Sequence, residues 1–150
     1  MSIIDTFKER IGQTNMSDWF TIDQARVNAF ADVTLDHQFI HVDPERAKAE
    51  TPFGGPIAHG FLTLSMLSHF AEQALPAFPD TAIGINYGFE KVRFLSPVPV
   101  GSKLRGKFTL ADVTERKPGQ FQLTQTVEVE IEGHDTPALA AQWLSLVVVG

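Results

Sequence analysis

The chain has 150 residues, 43% hydrophobic and 20% charged, with a formal net charge of -6 and no cysteine. That length and composition fit a single folded domain over 1–150, large enough to bury a core without covalent staples. The missing cysteines exclude disulfides, thiolate metal sites and cysteine nucleophiles, and the acidic balance argues against a nucleic-acid partner.

Ile3, Ile4, Phe7 and Ile11 fall at helical spacing, which predicts an amphipathic helix over 1–11 ended by Gly12. Asp5, Lys8, Glu9 and Arg10 interrupt its apolar positions, so the segment does not read as a signal peptide. The longest apolar run in the chain falls short of a membrane span, and the expectation is a cytoplasmic protein with no membrane partner. Residues 19–22 read as a short strand or extended entry. Asp23 is the expected N-cap of a helix through Asp32, with Thr21 as the alternative cap. Residues 34–42 read as loop. Asp43 followed by Pro44 is a strong helix start, and Pro52, Gly54, Gly55 and Pro56 keep that helix short.

Residues 60–75 are almost all apolar or small, with Glu72 the only charge. This predicts one helix of about four turns, buried on most sides and ended by Pro76 and Pro79. Beyond it the period changes. Residues 83–94 alternate from Tyr87 onwards. Pro97, Pro99 and Gly101 mark a turn. Leu104, Phe108 and Leu110 lie in a strand that Gly106 interrupts, read as a bulge. Lys117-Pro118-Gly119 is a hairpin turn. Phe121, Leu123, Val127, Val129 and Ile131 form a strand with one wet face, and after a turn at 133–135 residues 138–149 form a last, interior strand. Helices first, then about four long antiparallel strands, describe an α+β hot-dog-type architecture: a curled antiparallel sheet wrapped around a long central helix. One sheet cannot cover that helix, so pairing with a second copy is expected.

Chemistry concentrates in two stretches, Asp36-His37-Gln38-Phe39-Ile40-His41-Val42-Asp43-Pro44 and Pro56-Ile57-Ala58-His59-Gly60-Phe61. A loop can fold a carboxylate and an imidazole five positions apart into one cleft, where together they hold a water and move its proton. Asp36 and His41 fit that description. The plainer alternative is a turn aspartate beside a buried histidine bonded to backbone. Asp43 is better explained as a helix cap, and His37 as an exposed side chain without a partner. Gly60 stands where the turn becomes the apolar helix, and free N–H groups at a helix start can hold an oxyanion. His59 is read as bonded within its turn and His69 as a core or interface histidine. No H-x-x-x-H or H-E-x-x-H spacing occurs, so neither a metal nor another cofactor is expected. Lys91, Arg93, Lys103, Arg105 and Lys107 read chiefly as a solvated sheet face.

Taken together, Asp36-x-x-x-Ile40-His41-x-Asp43-Pro44-x-x-Ala47 and Gly55-Pro56-Ile57-Ala58-His59-Gly60 resemble the MaoC-like family, which includes the (R)-specific enoyl-CoA hydratases. The likeness extends through Arg93-Phe94-x-x-Pro97-Val98 and is greatest to the NodN-like branch. It implies reversible addition of water to a trans-2-enoyl thioester. Asp36 and His41 would be the catalytic pair, with the Gly60 N–H on the thioester carbonyl. Gln38, Phe39, His59 and Phe61 would contact the substrate, an acyl- or enoyl-CoA thioester, in a homodimer or larger homo-oligomer. The hydratase loop usually reads Gly-Asp-x-Asn-Pro-Ile-His. This chain has Leu35, Gln38 and Phe39 at the Gly, Asn and Pro positions, so Gln38 would replace the water-placing Asn and Phe39 would narrow the acyl pocket. A hot-dog acyl-CoA thioesterase and a non-catalytic acyl-thioester-binding protein are the alternatives.

Overall fold

Short polar side chains set the helix starts. In the computed structural model, which describes residues 2–77 and 82–150, helix α1 spans Ile3–Lys8 with Ser2 at its N-cap. Helix α2 spans Gln24–Thr34, and the Asp23 carboxylate accepts from the Arg26 N–H at 2.8 Å, so Asp23 caps it and Thr21 does not. The helix runs two residues past the expected end. It stops at Leu35, which sits in the left-handed region at φ 63, a conformation that glycine adopts without the Cβ penalty. Leu35 holds that conformation under strain.

Residues 34–42 are not all loop, since Phe39–Val42 form a single helical turn, α3. Helix α4 spans Pro44–Glu50, its first turn closed by the Asp43 carboxylate accepting from Arg46 N–H at 3.1 Å. The central helix is in two pieces, α5 over Gly60–Ser65 and α6 over Leu67–Ala74, meeting at Met66. The Met66 N–H still reaches the Leu62 carbonyl at 3.1 Å, and the Phe70 N–H reaches the Met66 carbonyl at 3.0 Å. The axis is therefore nearly continuous. Burial is narrower than expected: Leu62, Thr63, Leu67 and Phe70 are buried, whereas Phe61 is 68% exposed in the single chain. Pro79, one of the expected stops, lies outside the described residues.

The sheet has four long strands, β3 over Ala82–Phe94, β4 over Lys103–Lys117, β5 over Gln120–Ile131 and β6 over Leu139–Val149. Two short strands, β1 over Thr14–Met16 and β2 over Phe20–Thr21, both pair with β4, and every pairing is antiparallel. The order is β1-β4-β5-β6-β3, so β6 is interior, as expected, and among the described residues β3 is paired on one side only. Leu62, Leu67 and Phe70 pack into one core cluster with Phe108, Val127, Val129 and Trp143, which seats the helix on the sheet. Phe7 of α1 closes a second cluster with Leu110, Phe121 and Val147.

Gly106 is not at a bulge. It stays in register opposite Val129, and the irregularities of β4 lie at 110–112 and 115–117. A Cβ at Gly106 would lie 2.7 Å from the Phe70 Cβ and 2.7 Å from the Phe108 ring, so glycine is required by the close approach of the central helix. No helix of the described residues is long and apolar enough to cross a membrane.

Candidate active site

The left-handed turn at Leu35 redirects the chain out of α2 and places Asp36 at the head of the next turn. Its carboxylate accepts from the Gln38 N–H at 3.3 Å, and the His41 N–H closes α3 on the Gln38 carbonyl at 3.0 Å. The Gln24 side chain donates to the His41 carbonyl at 2.8 Å, which ties α3 to α2. His41 is thereby turned inward and is buried. Its Nδ1 lies 2.6 Å from the Ile57 carbonyl oxygen. A carbonyl can only accept, so Nδ1 carries the proton and Nε2 of the neutral ring keeps its lone pair. Burial pushes the His41 pKa below the ordinary imidazole value. The Ile57 bond opposes the shift, nearby His59 adds to it, and Asp36 opposes it weakly.

The second stretch is fixed beside the first by backbone bonds. The Ile57 N–H donates to the Ile40 carbonyl at 2.9 Å, and the Ala58 N–H to the Val98 carbonyl at 2.8 Å. His59 then caps α5 and is buried. It is not bonded within its own turn: its Nε2–H donates 3.0 Å across to the Asp36 backbone carbonyl. The His59 ring stacks on His41, with centroids 3.9 Å apart and planes at 24°, and it also meets the Phe30 ring at 4.9 Å. His59 therefore holds both members of the expected pair at once. Its Nδ1 is buried with no hydrogen-bond partner among the described residues.

One side-chain oxygen or nitrogen from each of Asp36, His41 and His59 lies within 4.8 Å of the others. One water can bridge two such atoms at ordinary hydrogen-bond lengths. The spacing would also admit a metal ion, a possibility that linear motif spacing missed because the three residues converge only in three dimensions.

A cavity of about 370 Å³ opens beside this cluster, lined by His41, Gly60, Phe61, Thr63, Phe94 and Ser96 among others. Its walls are mostly apolar. The Leu62 and Thr63 N–H groups both return to the His59 carbonyl, whereas the Gly60 N–H meets no acceptor among the described residues. A Cβ on Gly60 would stand 3.0 Å from the Phe94 ring. Thr63, which sequence reasoning did not single out, is 1% exposed and lines the cavity, its hydroxyl without a hydrogen-bond partner among the described residues. A threonine inside an apolar helix gave no signal beyond its polarity.

The remaining expected contacts are placed differently. Gln38 is exposed and outside the lining. Phe39 also lies outside it, with the Arg46 guanidinium 4.0 Å above its ring, so it does not narrow this cavity. His37, expected to lack a partner, hydrogen-bonds Asp32 at 2.9 Å on the surface. The His69 ring meets Phe20 at 5.3 Å, and its Nε2 is buried without a hydrogen-bond partner among the described residues. Arg105 bonds Glu130 at 2.8 Å and stacks over Trp19.

Residues 6–132 match the MaoC like domain. The chain is 54% identical over 130 residues to Nodulation protein N of Rhizobium meliloti, covering 87% of this chain and 81% of that protein. It is 49% identical over 134 residues to 3-hydroxyacyl-thioester dehydratase Z of Mycobacterium tuberculosis, covering 89% and 85%. Among solved structures, the (R)-hydratase from A. caviae involved in PHA biosynthesis superposes with a TM-score of 0.74 at 28% identity, covering 90% of this chain and 94% of that one. The architecture described above is thus the hot-dog fold of the MaoC-like proteins.

Proposed function

The chain belongs to the MaoC-like family, and from that premise we propose that it adds water reversibly to a trans-2-enoyl thioester, giving the (R)-3-hydroxyacyl thioester. The observation that carries this reading is the convergence of Asp36, His41 and His59, with His41 and Gly60 both lining the mostly apolar cavity beside the cluster. Support also comes from relatives named as a dehydratase of 3-hydroxyacyl thioesters and an (R)-hydratase.

In this mechanism one water donates its two hydrogens to the Asp36 carboxylate and to His41 Nε2, leaving an oxygen lone pair aimed at C3. The Ile57 carbonyl fixes the His41 tautomer, and burial favours the neutral ring, so His41 suits the role of base. As the C3–O bond forms, Nε2 takes a proton and the C2=C3 pair moves toward the thioester carbonyl. The Gly60 N–H donates to the enolate oxygen, and the imidazolium returns its proton to C2 as the carbonyl reforms. His59 positions Asp36 and His41. Phe61 bounds the acyl group, and Gln38 and Phe39 act through the loop that carries the pair.

We further read residues 1–150 as one cytoplasmic domain that works as a dimer or larger homo-oligomer. Strand β3 has a free edge, and Ile83, Ile85, Tyr87 and Phe89 expose apolar surface along it. Chains that leave such an edge open are prone to pair through it.

The test is to incubate the protein with crotonyl-CoA and longer enoyl- and acyl-CoA thioesters, following enoyl absorbance and free thiol together. Bleaching without thiol release is expected. Thiol release without bleaching would replace the hydratase by a thioesterase, and saturable binding without either signal would make it a binding protein.

A further inference from the structure

The inward face of β5 is apolar with one exception. Phe121, Leu123, Val127, Val129 and Ile131 are buried in alternation, and Gln125 occupies the same face at 6% exposure. Its cross-strand neighbours are Leu110 and Trp143, and neither hydrogen-bonds its side-chain oxygen. Gln125 Oε1 is buried with no hydrogen bond among the described residues. An unmet acceptor in such a place is destabilising unless something else supplies the donor.

The amide lines a cavity of about 640 Å³ between α6 and the sheet. Ala71 and Leu75 wall it from the helix, and Leu123, Trp143 and Val147 from the strands. This space is separate from the cavity at His41 and shares no lining residue with it. The same central helix serves both, since it begins at Gly60 in one and presents Ser68 to the other. Those positions are about 12 Å apart along a helix axis. An extended chain held at Gly60 can span that distance.

We propose that the α6–sheet cavity binds the far part of a mostly apolar chain that carries a hydroxyl group, whose O–H donates to Gln125 Oε1. The ligand class is then a hydroxylated acyl thioester rather than a plain one, and in that form the inference rests on the function proposed above. The apolar part of the lining, which also carries Arg10, Asn15, Glu72 and Asn86, matches the hydrocarbon, and the hydroxyl satisfies the buried Gln125 acceptor.

The test uses ligands that cannot react. Dodecanoyl-CoA and a series of dodecanoyl-CoA derivatives hydroxylated beyond C3, which the proposed reaction cannot dehydrate, are titrated into wild-type protein and into Gln125→Leu by calorimetry. One isomer is expected to bind the wild type at least roughly tenfold more tightly than dodecanoyl-CoA, and Gln125→Leu is expected to erase or reverse that preference. The variant should also melt about 2–6 °C higher, because an apolar side chain no longer leaves an acceptor unpaired. Should it fail to fold, Gln125→Met, closer in shape, takes its place. The inference is overturned if dodecanoyl-CoA binds the wild type as tightly as every hydroxylated isomer, or if the preference survives loss of the amide. Hydration of crotonyl-CoA by the wild type is scored separately: its absence, with the hydroxyl preference intact, removes the hydratase reading and leaves the binding site standing.

Discussion

Replacing Gly60 with alanine separates the architecture of the helix start from its chemistry. The added Cβ would lie 3.0 Å from two Phe94 ring carbons, tighter than an ordinary carbon contact. Phe94 is 49% exposed, so its ring can swing a few tenths of an ångström into solvent without disturbing the core. Gly60 is the first residue of α5, where alanine is the better helix former by up to about 1 kcal/mol. Stability should therefore change by no more than about 1 kcal/mol in urea unfolding. Turnover should not survive as well, because the methyl group and the displaced ring enter the space where a thioester carbonyl must lie to reach the Gly60 N–H. Loss of one oxyanion donor lowers turnover by about a hundredfold to a thousandfold, or about 3–4 kcal/mol of transition-state stabilisation. The assay is crotonyl-CoA hydration by absorbance, beside unfolding curves for both proteins. A Gly60→Ala protein that is stable and hydrates at the wild-type rate would refute the role given to this glycine.

Three further outcomes follow from particular residues. Leu35→Gly removes a left-handed leucine that is 80% exposed, so little burial is lost, and stability should rise by about 0.5–1 kcal/mol in urea unfolding. Gly106→Ala forces a carbon to within 2.7 Å of Phe70 and Phe108 and should lower stability by about 1–3 kcal/mol, read from the same curves. For His41 the pKa in the folded protein lies below that of the unfolded chain, so the unfolded state holds more protons in the window between them. Its contribution to stability is complete above the ordinary imidazole value and is lost as pH falls through that window. The acid limb of kcat/KM for hydration should accordingly lie below about pH 6.5, and a limb above that value would contradict a buried, neutral His41.

What the sequence revealed was local or periodic. Asp23 and Asp43 were legible as caps because a cap bonds backbone only a few positions away, and the long strands were legible from alternation. Gly106 was visible as an interruption, but its reason, the approach of Phe70, comes from an element far away in the chain. Strand β1 was missed because Thr14, Asn15 and Met16 show no alternation and depend on β4 for their pairing. Within the site, the approach of Asp36 and His41 was anticipated from a flexible loop, while their clamp was not. His59 reaches the Asp36 carbonyl and stacks on His41 from another segment, a relation that spacing cannot encode. The family resemblance placed the two stretches together without revealing that histidine's part in holding them. Gln125 could have been found, since a lone polar residue on the apolar face of an alternating strand is itself the signal.

The central claim is that Asp36 and His41 share one water and deliver it to an enoyl thioester. The most direct measurement is the rate of crotonyl-CoA hydration by the wild type, Asp36→Ala and His41→Ala, each shown by its unfolding curve to be folded. Hydration by the wild type and a loss of at least about a hundredfold in each variant is the expected result. Near-normal hydration in both variants would contradict the claim.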